Sequence, residues 1–119
     1  MSAPLIIDPQ AIENLRALTP GDDDAFLREI VGIFLEDTPK RIAELEQSLS
    51  GNDPLRFTRA AHSIKGSSSN LGAMALRAVS ERLEHQSKQT GLTGVEPLLA
   101  ELKTEFASAA AELHQILKL

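Results

Sequence analysis

Apolar residues recur along this chain at intervals of three and four, the spacing that gathers side chains on one face of an α-helix. Phe57, Ala61, Ile64, the small Ser68 and Leu71 follow one another at four, three, four and three. Similar helical faces run through Phe26, Leu27, Ile30, Phe34, Ile42, Leu45 and Leu49, and through Met74, Leu76, Val79 and Leu83. A last one joins Leu98, Leu102, Phe106, Ala109, Leu113 and Ile116. No alternating run of β-branched residues suggests a strand. Four long amphipathic helices with short connections predict an all-α fold, an antiparallel up-and-down four-helix bundle.

The punctuation between these faces sets the boundaries. Asp8-Pro9 is a helix start, an aspartate cap followed by proline at the first helical position, where its missing N–H costs nothing. A short additional N-terminal helix is expected over residues 9–18, carrying Leu15 and Leu18 and capping one end of the bundle. The acidic run Asp22, Asp23 and Asp24 suits the positive end of a helix, so the bundle is expected over 23–118. Pro39 interrupts the second helix and removes the bond to Leu35, which predicts either a kink or a break with Thr38 as cap. Pro54 opens the third helix, the stretch from Asn70 to Ala73 is a tight reversal, and "KQTGLTG" is a connector. No internal repeat divides the chain, and residues 1–119 read as one domain.

Composition narrows the class. A chain of 119 residues that is 42% hydrophobic is large enough to bury a core without covalent staples. The absence of cysteine removes disulfides, thiol catalysis and thiolate metal sites together. A net charge of -5 and the lack of tyrosine and tryptophan argue against nucleic acid, which wants basic and stacking surfaces. No apolar run reaches the roughly 18 residues of a membrane span, and the N-terminus has no basic stretch leading into a hydrophobic one. A cytoplasmic location without direct membrane contact is the expectation.

The chemistry concentrates in "AAHSIKGSSSNLGA", residues 60–73. His62 and Lys65 fall beside the apolar seam, on a face expected to meet water. Gly66 stands one turn beyond His62, although glycine weakens a helix by about 1 kcal/mol relative to alanine. A lone helical histidine is ordinarily a solvated surface residue, and His85 and His114 read that way among charged and polar neighbours. A metal site at His62 is poorly supported, because its neighbour at i+3 is a lysine and no carboxylate or histidine stands at i+4. Ser63 points about 100° away on the helix and no acid within the segment orients the ring, so Ser–His hydrolase chemistry is poorly supported too.

One task fits all three residues. A neutral imidazole is a competent nucleophile near neutral pH. If it accepts a phosphoryl group from another macromolecule, the ring must project into solvent and a cation should stand nearby. Lys65 supplies that cation as a flexible point charge one turn along. A side chain at position 66 would stand in the partner's path, and glycine leaves the path open. Ser69, a turn further, is small as well.

"AHSIKGSSSNLG" resembles the signature of histidine-containing phosphotransfer (HPt) domains, the modules of two-component phosphorelays. Their pattern is a histidine, a lysine three residues on, a glycine four on, small residues, and a glycine about ten on. Here these are His62, Lys65, Gly66, Ser67 to Ser69, and Gly72. The resemblance runs from about Ala25 into the last helix. It implies a four-helix bundle with the phosphorylated histidine exposed midway along one helix. It also carries over Glu84, at the place where the family often has glutamine or glutamate bonded to the ring nitrogen that does not take phosphate.

The implied function is a phosphorelay intermediate. His62 accepts a phosphoryl group from an aspartyl phosphate of a response-regulator receiver domain and passes it to a receiver domain. A hybrid sensor histidine kinase is a further candidate partner. No cofactor of the chain's own is expected, since Mg²⁺ would be supplied by the receiver. The chain has no glycine-rich phosphate loop, so autonomous ATP-dependent kinase activity is not expected. The docking patch is expected around the histidine at Thr58, Ser69 and Gly72, with Ile12 and Leu15 contributed by the N-terminal helix. Ala61 and Leu71 match the buried register and are assigned to the core. A monomer is expected, because no coiled-coil seam extends beyond the bundle's own needs. The competing reading is a helical docking module of a signalling protein that never carries phosphate.

Overall fold

The computed structural model describes residues 3–119, which form five helices and, among the described residues, no strand. They are α1 (Pro9–Arg16), α2 (Ala25–Ser50), α3 (Pro54–Leu71), α4 (Met74–Thr90) and α5 (Glu96–Leu117). Helices α2 to α5 make the bundle: α3 packs on both α2 and α4, α5 lies between α4 and α2, and α1 lies across α2 and α3. Leu27, Val31, Leu45, Phe57, Ile64, Leu76, Val79, Leu83, Leu102 and Leu113 are its innermost side chains. All the seam residues of α3, including Ser68, are buried. The Ser68 hydroxyl turns back on its own helix and donates to the Ile64 carbonyl at 2.6 Å. A polar atom therefore enters the core already satisfied.

Helix α1 is two residues shorter than expected. It stops at Arg16, and Leu18 lies outside it and exposed. Ile12 is the buried residue of this helix. The Arg16 guanidinium ties it to the head of α2 by two bonds of 3.0 Å to the Asp24 carboxylate. Asp24 thus serves as a lateral tether and makes no cap. Asp22 fills that role, its Oδ2 accepting from the Phe26 N–H at 3.1 Å.

Helix α2 runs without a break through Pro39. Thr38 is buried and caps nothing, while Pro39 is exposed. The missing hydrogen bond falls at an exposed position, and the apolar face on either side, from Phe34 to Ile42, keeps both halves seated on the core.

The turn from α3 to α4 places the candidate site. Gly72 closes α3 in the left-handed region at φ 72°, where only glycine is unstrained. The Ala73 N–H reaches back to the Ser68 carbonyl at 2.9 Å. The N-terminal segment then locks this turn: the Asp8 N–H donates to the Gly72 carbonyl and the Ala75 N–H to the Leu5 carbonyl, both at 2.8 Å. With the reversal fixed, residues nearly three turns into α4 return alongside the middle of α3.

Candidate functional site

His62 sits midway along α3, between the buried Ala61 and Ile64, and points outward with 65% of its side chain exposed. From α4, Glu84 comes in beneath it. That carboxylate is only 9% exposed, and it meets the His62 Nδ1 at 2.7 Å through Oε2 and the Lys65 Nζ at 2.7 Å through Oε1. Lys88, one turn further along α4, approaches Oε2 at 3.5 Å. Two lysines and a ring nitrogen thus converge on a single acid.

Burial pushes the Glu84 carboxyl up, as removal from water disfavours charge. The bonds from Lys65 and His62, with the field of both groups, outweigh it and hold the acid down at about 2. An ionised carboxylate can only accept hydrogen bonds, so the His62 Nδ1 must be the donor. That assignment fixes the tautomer: the proton stays on Nδ1, and the lone pair on Nε2 is left outward, without a hydrogen-bond partner among the described residues.

The depressed acid also predicts a pH effect on stability. A native value of about 2 against an ordinary 4.5 means that Glu84 stabilises the fold above pH 4.5. The contribution, on the order of 3 kcal/mol, is lost as pH falls from 4.5 through the native value. Urea unfolding of the wild type and of Glu84→Gln is expected to show a stability gap that shrinks over that interval. A gap independent of pH would contradict the assignment.

Lys65 is less open than a water-facing position implies. Its side chain is 24% exposed, because its stem lies in the α3–α4 cleft and its ammonium is engaged by Glu84. Gly66 is exposed, and a Cβ built on it would meet nothing within 4 Å. The ground beside His62 is therefore bare. Ser69 is exposed too, its hydroxyl accepting from the Arg77 Nε at 2.8 Å.

Three residues expected at the docking patch lie elsewhere. Thr58 is buried against α4, where its hydroxyl bonds the Pro54 carbonyl at 2.8 Å and the Ser87 hydroxyl at 2.7 Å. Gly72 is buried under α1, with the position of an added Cβ only 2.5 Å from the Ala11 Cβ. Ile12 belongs to the core. All three are buried in the bundle rather than open on its surface. Leu15 is half-buried and lines a groove of about 390 Å³ between α1, α2 and α3, with Phe26, Ile30, Ile33, Asp37 and Asn70. His85 and His114 are exposed too, but neither has a bonded acid among the described residues, unlike His62. Lys88 was not singled out by the motif, although its spacing of four from Glu84 is that of a helical ion pair.

Fold and site together define a class of protein, a helical module that carries one exposed and oriented imidazole. The Hpt domain family model matches residues 29–115, and the chain belongs to that family. It is similar to multistep phosphorelay regulator 1 of Schizosaccharomyces pombe, 29% identical over 96 residues, or 81% of this chain and 32% of that one. It is also similar to histidine-containing phosphotransfer protein 2 of Arabidopsis thaliana, 23% identical over 95% of this chain and 74% of the relative. The chain thus spans about a third of the fission-yeast relative's length and most of the plant protein's. Among solved structures it superposes on histidine-containing phosphotransfer protein B (HptB) of Pseudomonas aeruginosa PAO1 with a TM-score of 0.87. The identity is 26%, and the match covers 98% of this chain and 97% of that one. No described helix is long and apolar enough to cross a membrane.

Proposed function

We propose that the protein is a phosphorelay intermediate in which His62 carries the phosphoryl group between receiver domains. One observation carries this reading. The exposed ring of His62 is held through Nδ1 by a buried, ionised Glu84, which leaves Nε2 as an outward nucleophile.

In the forward step the Nε2 lone pair attacks the phosphorus of an aspartyl phosphate on the receiver. The Nε2–P bond forms, the P–O bond to the aspartate breaks, and the electron pair leaves with the aspartate carboxylate. The Nδ1 proton stays in place, because the positive charge arising on the ring is met by Glu84. Reversal of the same step delivers the group to the next receiver. Lys65 supplies charge to the phosphoryl oxygens, and Mg²⁺ on the receiver supplies the rest of the electrostatics. The partner would approach over Gly66 and Ser69 and extend into the groove beside them. Asn70, which lines that groove, is about two turns from His62. A monomer with modest affinity suits a carrier that must release each partner after transfer.

The test is to mix the protein with a receiver domain phosphorylated by acetyl phosphate. Label lost in acid, kept in alkali and chased onto an unphosphorylated receiver supports the proposal. No label from a panel of receivers would leave the phosphate-free docking module as the better reading. Gly66 offers a separate prediction. Gly66→Leu is expected to slow transfer by obstruction while raising helix stability by up to about 1 kcal/mol, since a Cβ there meets nothing within 4 Å. Transfer at the wild-type rate would remove Gly66 from the docking path.

A further inference from the structure

Glu84 is held by more positive charge than its own ionisation requires. Lys65 bonds one oxygen at 2.7 Å, the His62 Nδ1 bonds the other at 2.7 Å, and Lys88 stands 3.5 Å from that second oxygen with its side chain 62% exposed. Lys65, Lys88 and Glu84 share a small surface hollow with Glu81 and His85. In this resting arrangement the Lys65 ammonium is committed to Glu84 and lies mostly covered. A phosphoryl group on Nε2 brings two negative charges to the same cluster. One ammonium cannot be closely bonded to Oε1 and also follow the phosphoryl oxygens on the far side of the ring.

We infer that Lys88 is the reserve counter-ion of Glu84, which takes over the carboxylate when Lys65 turns to the phosphoryl group. The inference rests on the assignment of His62 as the acceptor. It deepens that assignment by naming a residue that acts through Lys65 without touching the phosphoryl group. The local charges support it. If Lys65 leaves, Glu84 keeps only the ring N–H as a close partner, in a site with little access to water. A buried acid losing half its partners is strongly disfavoured. Lys88 is near enough to contribute to the field and exposed enough to move, and a lysine stem can close the remaining gap by changing rotamer. Glu81 and His85, the other titratable groups of the hollow, are both exposed and offer no competing ammonium. Covalently, the step is the one already written: Nε2–P forms, the aspartyl P–O bond breaks, and no proton leaves Nδ1. Only the ammonium groups exchange places.

Lys88 is thus a positioning residue, and a double-mutant cycle tests it. Initial rates of transfer from an acetyl-phosphate-loaded receiver are measured for wild type, Lys88→Gln, Lys88→Arg, Lys65→Ala and Lys65→Ala/Lys88→Gln, with helicity followed by circular dichroism. Lys88→Gln is expected to slow acceptance by about three- to tenfold, and Lys88→Arg to restore most of it. In the Lys65→Ala background, Lys88→Gln is expected to change little, because there is no ammonium left to release. A wild-type rate for Lys88→Gln, no rescue by arginine, or full additivity of the two lysine effects would each overturn the inference. Equal labelling of His62→Gln and wild type would instead bring down the His62 assignment itself, and this inference with it.

Discussion

Replacing His62 with glutamine is expected to reduce phosphoryl acceptance from a receiver domain to background while leaving the fold intact. The expectation follows from how little the ring contributes inward. Its side chain is mostly exposed, and its one hydrogen bond among the described residues is to Glu84. A glutamine amide N–H can donate to the same carboxylate, so the buried acid keeps a partner, but no lone pair remains that can attack phosphorus. The change in unfolding free energy is expected to stay within about 0.5 kcal/mol, as for other exposed substitutions. Lys65→Ala is the contrasting case. It removes charge stabilisation and leaves the nucleophile, so transfer should slow by about ten- to a hundredfold and persist. Acid-labile label on His62→Gln at the wild-type level would move attention to His85 or His114.

The second large effect is expected on stability, at Gly72. This residue holds φ at 72°, and a Cβ there would stand 2.5 Å from the Ala11 Cβ and 3.2 Å from the Asp8 carbonyl oxygen. Two costs therefore coincide in Gly72→Ala: the left-handed backbone, and a collision with α1 that yields only if the helix shifts. Together they are expected to lower unfolding free energy by about 2–4 kcal/mol, measured by urea titration. Transfer should fall less than stability at low denaturant, since Gly72 is buried and lies outside the exposed surface around His62. A loss below about 0.5 kcal/mol, the level of an ordinary surface change, would mean that α1 yields easily and does not pin the turn.

The helical architecture was legible because bundle helices advertise their buried faces at a period near 3.6 residues. The α3 seam of Phe57, Ala61, Ile64, Ser68 and Leu71 is buried throughout, and His62 stands outside it. What escaped was set by contacts distant in the chain. Thr58 reads as a polar residue beside the histidine, yet its hydroxyl is satisfied by Ser87, 29 residues away. Gly72 belongs to the motif, but its burial comes from α1 folding over the turn. Ile12 lies on a helix of only eight residues, too short for its pattern to show which face is covered. Ile30 matched a core helix, but the gap between α1, α2 and α3 leaves it half-buried and lining an open groove. At Pro39 local chemistry left a kink or a break equally open, and packing on both sides kept the helix continuous.

The central claim is that Glu84 fixes His62 so that Nε2 takes the phosphoryl group. It is read most directly by NMR on protein with ¹⁵N-labelled histidine, phosphorylated by a receiver domain and held at alkaline pH. The prediction is one-bond ³¹P–¹⁵N coupling at Nε2 of His62, with Nδ1 still bearing its proton. Coupling at Nδ1 of that ring, or at His85 or His114, would contradict it.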